Sequence, residues 1–493
     1  MAKIKKAWFC TACGNESPKW MGKCPACGEW NSMVEEIVNK SPDNSSLTSR
    51  AQSFLQSAGN TKPQPLPQIE SGQECRIILG GGSVDGKFAA EGNSGVDDNA
   101  TGDNLSGRGN ALCCGGNELD RVLGGGMVKG SLVLIGGEPG IGKSTLSLQI
   151  PLMNNGLRTL YVSGEESAKQ IKMRAERLGG VHENCLVLSE TLLENILNEA
   201  RNTQPQLLII DSIQTIYSQN IESSAGSVSQ VRECAASLLR YAKETGTPVI
   251  LIGHITKDGT IAGPKVLEHI VDVVLQFEGD TRHAYRILRS IKNRFGSTAE
   301  LAVYQMCSDG LKEVLNPSEM FIPMHGENLS GIAVAAMLDG SRPFLIEVQA
   351  LVSTAAYGTP QRSATGFDVR RMNMLLAVLE KRVGFKLSQK DVFLNIAGGL
   401  KVADPACDMA IVAAILSSNF DENVPAGYAF AGEIGLSGEI RPVSQIEKRI
   451  AEAAKLGMEK IFVSAFNKPQ GKPYKGLQVV PVATVAELVK QIF

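Results

Sequence analysis

The sequence predicts an α/β protein with a mostly parallel sheet that binds a nucleoside triphosphate. Apolar strand-like runs alternate with amphipathic helical segments between residues 111 and 315, as in proteins whose helices cover a parallel sheet. A glycine-rich loop follows the first of these runs, and an aspartate ends a later one. With 493 residues, the chain is long enough for two or three domains, each with its own core.

The composition favours a cytoplasmic protein without a membrane segment. The formal net charge is −2, so any nucleic-acid surface must be local and not part of a global basic field. No apolar run approaches the roughly 18–20 residues that cross a bilayer, and the basic N-terminus lacks the apolar core of a signal peptide. Of the 11 cysteines, four are clustered near the N-terminus, which indicates metal binding and not a disulfide framework.

The first domain, residues 1–36, is predicted to be a zinc ribbon. Two Cys-x-x-Cys pairs supply four thiolates for a tetrahedral Zn²⁺ site: Cys10, Cys13, Cys24 and Cys27. A module this small needs such a metal to fold. A redox-active pair is the alternative, but two matched pairs in so short a module disfavour it. Trp20 and Trp30 are expected to fill the core of the ribbon, with a role as contact residues the alternative. The partner of the ribbon is either a nucleic acid or a protein.

Residues 37–110 are predicted to form a flexible linker. This range is rich in Ser, Gly, Asn, Asp and Gln and has almost no aromatic residues. It therefore buries too little apolar surface to offset the entropy that ordering would cost. One short apolar run, residues 75–79, is the part of the linker that is able to dock on a folded domain.

The ATPase domain is predicted over residues 111–315, and its glycine-rich loop is a complete P-loop. The loop follows the apolar run 131–135 and opens a helix, so that phosphates meet the positive end of a helix dipole. Lys143 is expected to neutralise the β- and γ-phosphates of ATP or GTP, and Ser144 to join the Mg²⁺ shell. The nucleotide-binding residues of this loop are Gly137, Glu138, Pro139, Gly140, Ile141, Gly142, Lys143, Ser144 and Thr145.

Acidic side chains at two strand ends are candidates for the chemistry at this loop. The buried run 207–210 ends at Asp211, the Walker B pattern, in which a carboxylate supports Mg²⁺ beside the P-loop serine. The strand 159–163 is followed by Glu165 and Glu166, and a carboxylate at the end of a neighbouring strand polarises the attacking water. Glu165 is favoured over Glu166 for this role. The alternative is a helix N-terminus whose acidic residues only complement the dipole.

Two further motifs place polar or cationic side chains at strand ends. His254 ends the apolar run 248–253 and is a candidate sensor of the γ-phosphate, although a hydrogen-bonded structural histidine fits almost as well. Lys292 and Arg294 follow the strand 285–291, and the pair suits a finger that reaches the phosphates bound by a neighbouring subunit. A pair of cations that protects a sheet edge is the alternative.

Taken together, these motifs resemble the bacterial RadA (Sms) family of DNA-repair proteins. The resemblance rests on the cysteine pairs, the P-loop, the Ser-Gly-Glu-Glu-Ser segment and three more runs, which are residues 118–126, 253–259 and 292–296. The last run, Lys-Asn-Arg-Phe-Gly, is a signature of the family. The likeness covers the whole chain except the linker, which is longer than is usual for the family. It implies a RecA-like ATPase joined to a Lon-protease-like domain and assembled as a hexameric ring.

The resemblance also implies an ATP-driven motor on single-stranded and branched DNA that promotes branch migration with the RecA recombinase. Carried over residue by residue, the resemblance implies that Lys143 and Ser144 bind phosphate and Mg²⁺ and that Asp211 supports the metal. It also implies that Glu165 activates water and that Lys292 and Arg294 act in trans on the neighbouring subunit. In RecA-like rings, loops after the Walker B strand and the next strand line the pore, which places DNA at residues 217–230 and 257–265. Two ordinary solvent loops are the alternative.

Residues 316–493 are predicted to form a second α/β domain that resembles the Lon protease. The resemblance lies in residues 398–408 and 432–443, around the serine and before the lysine of the protease's catalytic dyad. Ala406 occupies the serine position and Glu447 the lysine position, so the domain is expected to be proteolytically inactive. Two alternative functions are a Lon-like ATP-dependent protease or unfoldase, which these positions disfavour, and a regulatory ATPase of the circadian-clock KaiC type, which lacks both flanking domains.

Overall fold

The structure, a computed structural model, describes residues 5–10, 15–38, 75–79, 117–254, 267–279, 285–322, 329–355, 360–468 and 474–493. The chain divides into two compact units. The first comprises Met1–Glu278, Leu288–Thr298 and Tyr304–Glu313, and the second Gly279–Ile287, Ala299–Val303 and Val314–Phe493. Three short segments within the range predicted for the ATPase domain, residues 279–287, 299–303 and 314–315, therefore belong to the second unit.

The N-terminal ribbon is a small antiparallel sheet around the cysteines. Its strands are β1 (Lys5–Cys10), β2 (Glu16–Ser17) and β3 (Met33–Val38), in the order β2-β1-β3. Its buried core consists of Cys10, Cys24 and Met33. The expectation that Trp20 and Trp30 fill this core is wrong, because these residues are 53% and 69% exposed. Two of the three core residues are cysteines, so the metal ligands themselves take the place of an apolar core.

Residues 75–79, within the range predicted to be a flexible linker, pack against the first unit. β4 (Arg76–Ile77) pairs antiparallel with β5 (Met127–Val128), and Leu79 is fully buried. The backbone N–H of Leu79 donates to Asp120 Oδ1 at 2.9 Å, and Arg76 Nη1 donates to the carbonyl oxygen of Gly126 at 3.1 Å. The short apolar run therefore anchors the chain at this point.

The larger sheet of the first unit is mostly parallel, as predicted. Its strands are β6 (Leu132–Gly137), β7 (Thr159–Ser163), β8 (Cys185–Ser189), β9 (Leu207–Asp211), β10 (Val249–His254), β11 (Val273–Glu278), β12 (Tyr285–Asn293), β13 (Leu301–Cys307) and β14 (Gly310–Glu313). Within the described residues their order is β14-β13-β12-β11-β6-β10-β9-β7-β8, and pairing is parallel from β11 to β8. Every residue of β6 and β9 is buried, as expected of central strands covered by helices.

One short helix precedes β6, and four of the described helices connect successive parallel strands of this sheet. They are α1 (Asn117–Val122), α2 (Lys143–Met153), α3 (Ala168–Arg177), α4 (Leu193–Thr203) and α5 (Val228–Thr245). A capping box begins α3, in which Ser167 and Gln170 satisfy each other's backbone N–H groups. Ser227 caps the start of α5, and the helix ends at Gly246, whose φ of 72° is the left-handed conformation that glycine favours. The helix boundaries therefore follow from local sequence signals.

The second unit is built on a mixed sheet. Its strands are β15 (Ile332–Asp339), β16 (Arg342–Thr354), β17 (Arg362–Thr365), β18 (Lys390–Ile396), β19 (Tyr428–Ala431), β22 (Lys460–Ser464) and β23 (Gln478–Val482), with the separate hairpin β20 (Glu433–Ile434) and β21 (Ile440–Arg441). Among the described residues the sheet order is β17-β18-β16-β15-β19-β22-β23. β15 and β16 form an antiparallel hairpin, whereas β15, β19, β22 and β23 pair in parallel.

Five α-helices are described in this second unit, and one of them is central to its core. They are α6 (Ser318–Phe321), α7 (Val369–Val378), α8 (Asp408–Phe420), α9 (Ile446–Lys455) and α10 (Val485–Ile492), with a π-helical turn at Leu379–Val383 and 3₁₀ turns at Ala397–Gly399 and Pro405–Cys407. All residues of α8 from 408 to 417 are buried. None of the helices in the described ranges has the length and apolar composition needed to span a membrane.

Candidate nucleotide-binding site and metal centre

The P-loop lies between the carboxyl end of β6 and the start of α2. Gly140 and Gly142 have φ values of 77° and 117°, the left-handed region in which a side chain would strain the turn. Lys143, the first residue of α2, is buried, and its Nζ donates to the carbonyl oxygens of Gly137 and Glu138 at 3.0 and 2.9 Å. The loop therefore curves around its own lysine, with backbone N–H groups and the amino end of a helix at the same place.

Burial sets the protonation behaviour of Lys143. It lowers the pKa of the ammonium to about 8, against the opposing effect of the nearby carboxylates of Asp211 and Glu165. A lysine that titrates so close to neutral pH gains charge readily when an anion binds beside it. The geometry and electrostatics of the loop thus fit a polyphosphate ligand.

Polar side chains from neighbouring strands meet at this edge of the sheet. Asp211 ends β9, and the hydroxyl of Tyr161 on β7 donates to its Oδ2 at 2.5 Å. Ser212 Oγ donates to Glu165 Oε1 at 2.7 Å, and His254 Nε2 lies 3.7 Å from the same oxygen. Sequence reasoning named Asp211, Glu165 and His254 but missed the roles of Tyr161 and Ser212, which hold the two carboxylates in place. A tyrosine in the middle of a buried strand carries no signal that it will reach the aspartate at the end of the neighbouring strand.

The two adjacent glutamates have different partners. Glu166 forms an ion pair with Arg174 on α3, whereas Glu165 is held by Ser212, the residue that follows Asp211 at the end of β9. Its carboxylate also raises the pKa of Lys143, so it lies on the side of the P-loop. This arrangement favours Glu165 as the carboxylate that faces bound phosphate.

His254 ends β10 and has the properties of a neutral imidazole. Burial and the positive charge of Lys143 lower the pKa of His254, with Glu165 opposing the shift. Its Nδ1 is buried and has no hydrogen-bond partner among the described residues. Residues 255–266, which follow His254 in the chain, lie outside the described residues. Near neutral pH this side chain therefore offers both a donor and an acceptor nitrogen at the sheet edge.

Lys292 lies near the end of β12 and Arg294 directly follows that strand, and both contact residues that precede β11. Lys292 Nζ donates to the carbonyl oxygen of Val271 at 2.8 Å, and burial together with the charge of Arg294 lowers its pKa. Arg294 Nη1 donates to Asp272 Oδ1 at 3.0 Å; the aspartate side chain is 2% exposed, whereas that of the arginine is 55% exposed. The arginine thus neutralises a buried carboxylate while most of its guanidinium side chain faces outward.

Arg294 lies at the end of the sheet opposite to the strand ends that carry the P-loop of the same chain. Asp272 immediately precedes β11, and its backbone N–H donates to the carbonyl oxygen of Leu132 at the start of β6. The P-loop follows the other end of β6, about 17 Å away for a strand of this length. Arg294 cannot reach the P-loop of its own chain, so any contact with bound phosphate has to be made in a neighbouring copy.

The Lys-Asn-Arg-Phe-Gly run is held by the glycine-rich segment after α1. Asn293 Nδ2 donates to the carbonyl oxygen of Val122 at 3.3 Å, and Arg76 Nη2 donates to that of Phe295 at 2.9 Å. A Cβ atom at Gly124, whose φ is 87°, would lie only 3.3 Å from the Phe295 carbonyl oxygen. The runs 118–126 and 292–296 and the docked residues 75–79 therefore contact one another and together hold the backbone around Arg294.

Of the two predicted DNA loops, one is described. The side-chain Nε2 of Gln230 donates to the carbonyl oxygens of Ser218, Ile221 and Ser223 at 3.0, 2.8 and 3.0 Å. These hydrogen bonds tie residues 217–230 into a compact loop. The other predicted loop, residues 257–265, lies outside the described residues.

The sulfur atoms of Cys10, Cys24 and Cys27 lie within 4.8 Å of one another. The sulfurs of Cys10 and Cys27 are 3.6 Å apart, close to the edge of about 3.8 Å that a tetrahedral site with Zn–S bonds of about 2.3 Å requires. Cys13, the fourth predicted ligand, lies outside the described residues. The donor set fits Zn²⁺, and the three described thiols would hold it.

Replacing Cys24 with serine is expected to release the metal and unfold the ribbon, because a small module without an apolar core depends on its metal for stability. Zinc content, measured by atomic absorption, is expected to fall from about one ion per chain to about a tenth or less. Cys185→Ser is the matched control, since that thiol lies on β8 and is not part of the cysteine cluster of the ribbon. Full zinc content in the Cys24 variant would contradict the assignment.

The positions that correspond to the Lon dyad carry no reactive pair. Ala406 is fully buried, and Glu447 lies in the first turn of α9. The nearby buried Arg449 donates through Nη1 to Asp404 Oδ2 at 2.6 Å. Burial raises the pKa of the Cys407 thiol well above its usual range, which keeps it protonated. This part of the second unit is a buried ion pair in apolar surroundings and not a nucleophilic centre.

Comparison with known proteins finds three matches to family models of single domains and several relatives that align over the full length of the chain. Sequence models match for an AAA domain at residues 114–260, a rubredoxin metal binding domain at 8–35 and subunit ChlI of Mg-chelatase at 351–467. Proteins named DNA repair protein RadA from Bacillus subtilis, Listeria monocytogenes and Halalkalibacterium halodurans are 47%, 46% and 45% identical to this chain. Each of these alignments covers at least 99% of this chain and 99% of the relative. The chain belongs to the RadA family.

Membership of the RadA family confirms the predicted fold class: a RecA-like P-loop ATPase core, an N-terminal zinc ribbon and a further α/β domain. Among solved structures, the RadB recombinase is 23% identical, with a TM-score of 0.32 over 40% of this chain and 96% of that chain. A KaiC-like protein from Pyrococcus horikoshii is 20% identical, with a TM-score of 0.33 over 42% of this chain and 98% of that chain.

Proposed function

We propose that this member of the RadA family is a DNA-dependent ATPase of recombinational repair. It binds single-stranded and branched DNA and uses ATP hydrolysis to drive branch migration together with the RecA recombinase. One observation carries the proposal: Lys143, Asp211 and Glu165 gather at one sheet edge in a chain whose full-length relatives are named DNA repair proteins.

The proposed nucleotide site assigns a separate task to each of these side chains. Lys143 and Ser144 bind phosphate and Mg²⁺, and Asp211, held by Tyr161, supports the metal. Bound Mg²⁺ supplies charge neutralisation at the β- and γ-phosphate oxygens. Glu165, oriented by the Ser212 hydroxyl, accepts the proton of the attacking water.

Replacing Glu165 with glutamine is expected to lower kcat for ATP hydrolysis by about 10²- to 10⁴-fold, because the amide cannot accept the proton. Affinity for ATP should be largely unchanged, since the variant keeps Lys143 and the P-loop. Steady-state hydrolysis and fluorescent-nucleotide binding measure the two effects separately. Glu166→Gln is the matched control: it breaks the partly exposed ion pair with Arg174 and is expected to keep kcat within about fivefold. Equal losses in both variants would contradict the choice of Glu165.

ATP affinity is expected to fall as the pH rises above 8. Phosphate binds the charged ammonium of Lys143, whose pKa of about 8 in the free protein means that the charged fraction drops steeply between pH 7 and 9. The bound phosphates hold the lysine charged, so the affinity should weaken by about tenfold over this interval. Equilibrium binding of ATP at fixed Mg²⁺ measures the change. The Lys143→Ala variant is expected to bind ATP more weakly at every pH and to lack this pH dependence. If its ATP affinity falls with pH as that of the unmodified protein does, the group that titrates is not Lys143.

The proposed assembly is a hexameric ring in which Arg294 acts in trans. Its anchor at the amino ends of β6 and β11 separates it from the P-loop of its own chain, while most of its side chain is exposed. Lys292 is directed to backbone carbonyl oxygens and is partly buried. Arg294 is therefore the stronger candidate for the finger, and Lys292 for its support.

DNA is proposed to pass along the loops that follow β9 and β10. The described loop after β9 presents the exposed polar side chains Gln219 and Asn220 and no lysine or arginine between residues 217 and 230. Cationic contacts to phosphate are therefore assigned to Lys257 and Lys265 in the second loop. Six copies of two lysines around a ring make a basic pore, which predicts little sequence preference and strong salt dependence.

A Lon-like peptidase is disfavoured as the function. A serine–lysine dyad needs a hydroxyl and an amine within hydrogen-bond reach, whereas these positions carry Ala406 and Glu447. The fully buried Cys407 is protonated and offers no substitute nucleophile. We assign the second unit to assembly and DNA contact.

Branch migration tests the proposal. A labelled three-stranded recombination intermediate is incubated with the purified chain, ATP and RecA, and the extension of the heteroduplex is followed on gels. ATP-dependent extension that is absent with Lys143→Ala is the expected result. Extension by RecA alone to the same degree, or ATP-independent extension, would contradict the proposed motor.

A further inference from the structure

The zinc ribbon presents two tryptophan rings to solvent. Trp20 and Trp30 are 53% and 69% exposed, although the ribbon has few other apolar side chains with which to build a core. The full sequence contains three tryptophans, all within its first 30 residues, and the remaining one, Trp8, packs against the buried cysteines. Large exposed aromatic rings without a packing role indicate a contact surface.

The two rings lie side by side on one face. A Cβ atom added at Gly22 would be 3.6 Å from Cη2 of Trp20 and 3.9 Å from Cζ3 of Trp30. Both rings therefore border the same point on the backbone, and the glycine leaves the space between them open. A side chain at this position would fill the gap.

The backbone beneath the rings is fixed by hydrogen bonds. Trp30 is bridged to Lys23 across a short hairpin that also carries the bond from the Cys24 N–H to the Glu29 carbonyl oxygen at 2.8 Å. Ser17 Oγ donates to the carbonyl oxygen of Lys19 at 2.8 Å, immediately before Trp20. The rings are thus presented by a metal-bound hairpin and a tight turn, so binding would cost little conformational entropy.

Cations flank the rings. Lys23 Nζ lies 5.5 Å from the centroid of the Trp30 ring, and Lys19 is exposed beside Trp20. Between residues 17 and 31 the sequence has one acidic residue, Glu29. Lys23 lies over one face of Trp30, and the ring is still 69% exposed. Exposed aromatic rings with adjacent lysines match a nucleic-acid strand, whose bases stack on the rings and whose phosphates meet the cations.

We propose that Trp20 and Trp30 form a stacking platform on the zinc ribbon for unpaired bases of single-stranded DNA, with Lys19 and Lys23 contacting the flanking phosphates. This inference rests on the proposed DNA-dependent function and gives the ribbon a DNA-binding role separate from the loops of the ATPase ring. Because two cations serve the platform, log K for this site should fall with log salt at a slope of about −1.4.

The tryptophans themselves supply the readout. All three lie in the ribbon, so fluorescence excited at 295 nm reports on the ribbon alone, in the full-length protein and without nucleotide. Titration with oligo(dT) is expected to quench this fluorescence, because stacked bases quench indole emission. Trp20→Ala and Trp30→Ala are each expected to weaken the fluorescence-detected affinity by at least about fivefold. Trp8→Phe, which removes the half-buried ring, is the matched control and should keep the affinity. Zinc content near one ion per chain in each variant shows that the ribbon is folded.

The outcomes separate this inference from the proposed function. Labelled oligo(dT) that binds by anisotropy without quenching would overturn the platform and leave the DNA-dependent ATPase standing. Absence of binding by both readouts would overturn both. Equal quenching by heparin, which has charge but no bases, would show that stacking is not involved. Quenching by RecA but not by DNA would make this face a protein-binding site and would also overturn the inference.

Discussion

Replacing Arg294 with alanine is expected to lower kcat for ATP hydrolysis by about 10³-fold or more while leaving ATP affinity largely intact. An arginine that stabilises transition-state charge on the γ-phosphate is worth that much in related phosphoryl-transfer systems. The effect is confined to kcat because the P-loop of the same chain, with Lys143, is unchanged. Steady-state kinetics and nucleotide binding measured on the same preparation provide the comparison.

A structural role for Arg294 has to be separated from this effect, because its guanidinium also pairs with the buried Asp272. Arg294→Lys keeps a positive charge beside that carboxylate but loses the planar fork that engages phosphate oxygens. We expect it to restore thermal stability and not the rate. A variant that regains both would show that the arginine acts by neutralising Asp272.

Mixing two inactive variants tests whether the contact is made in trans. Arg294→Ala chains contribute an intact P-loop, and Lys143→Ala chains contribute an intact arginine. In mixed rings some interfaces combine both, so hydrolysis is expected to reappear. Mixtures as inactive as the separate variants would contradict a finger that crosses between subunits.

Replacing Lys143 with alanine is expected to reduce kcat/KM for ATP by about 10³-fold, the second of the two largest effects. The buried ammonium is the cation placed inside the P-loop, and its removal takes away charge stabilisation in the ground state and the transition state. The decline should therefore be seen in both ATP affinity and turnover, unlike the result for Arg294.

Lys172→Ala is the matched control for this variant, since Lys172 is an exposed lysine on α3. It is expected to behave like the unmodified protein. Circular dichroism melting of both variants shows whether the fold is intact. Substantial ATP turnover by a folded Lys143→Ala variant would mean that the P-loop assignment is wrong.

The geometry of the candidate nucleotide site was largely predictable because a P-loop imposes a sequence pattern. The P-loop needs glycines with left-handed φ, such as Gly140 and Gly142, and a lysine at the helix start, which leaves a recognisable spacing. Central parallel strands are buried on both faces, so β6 and β9 are continuous apolar runs in the sequence. The carboxyl ends of those strands then bring Asp211 and Glu165 to one edge.

Features that depend on long-range contacts were not predictable. The Tyr161–Asp211 and Ser212–Glu165 hydrogen bonds join residues that are 50 and 47 positions apart, and neither pair follows a fixed spacing. The docking of residues 75–79 depends on a single short apolar run in a polar range. The exposure of Trp20 and Trp30 reverses the usual preference of tryptophan for the interior, which composition alone cannot indicate.

ATP hydrolysis by the purified full-length protein, with and without single-stranded DNA and titrated with salt, tests the central claim most directly. The proposed function predicts strong stimulation by DNA that fades between about 50 and 200 mM salt, as phosphate contacts are screened. The Lys143→Ala variant should show a rate reduced by about 10³-fold under both conditions. Hydrolysis that is unaffected by DNA at every salt concentration, with or without RecA, would contradict a DNA-dependent motor.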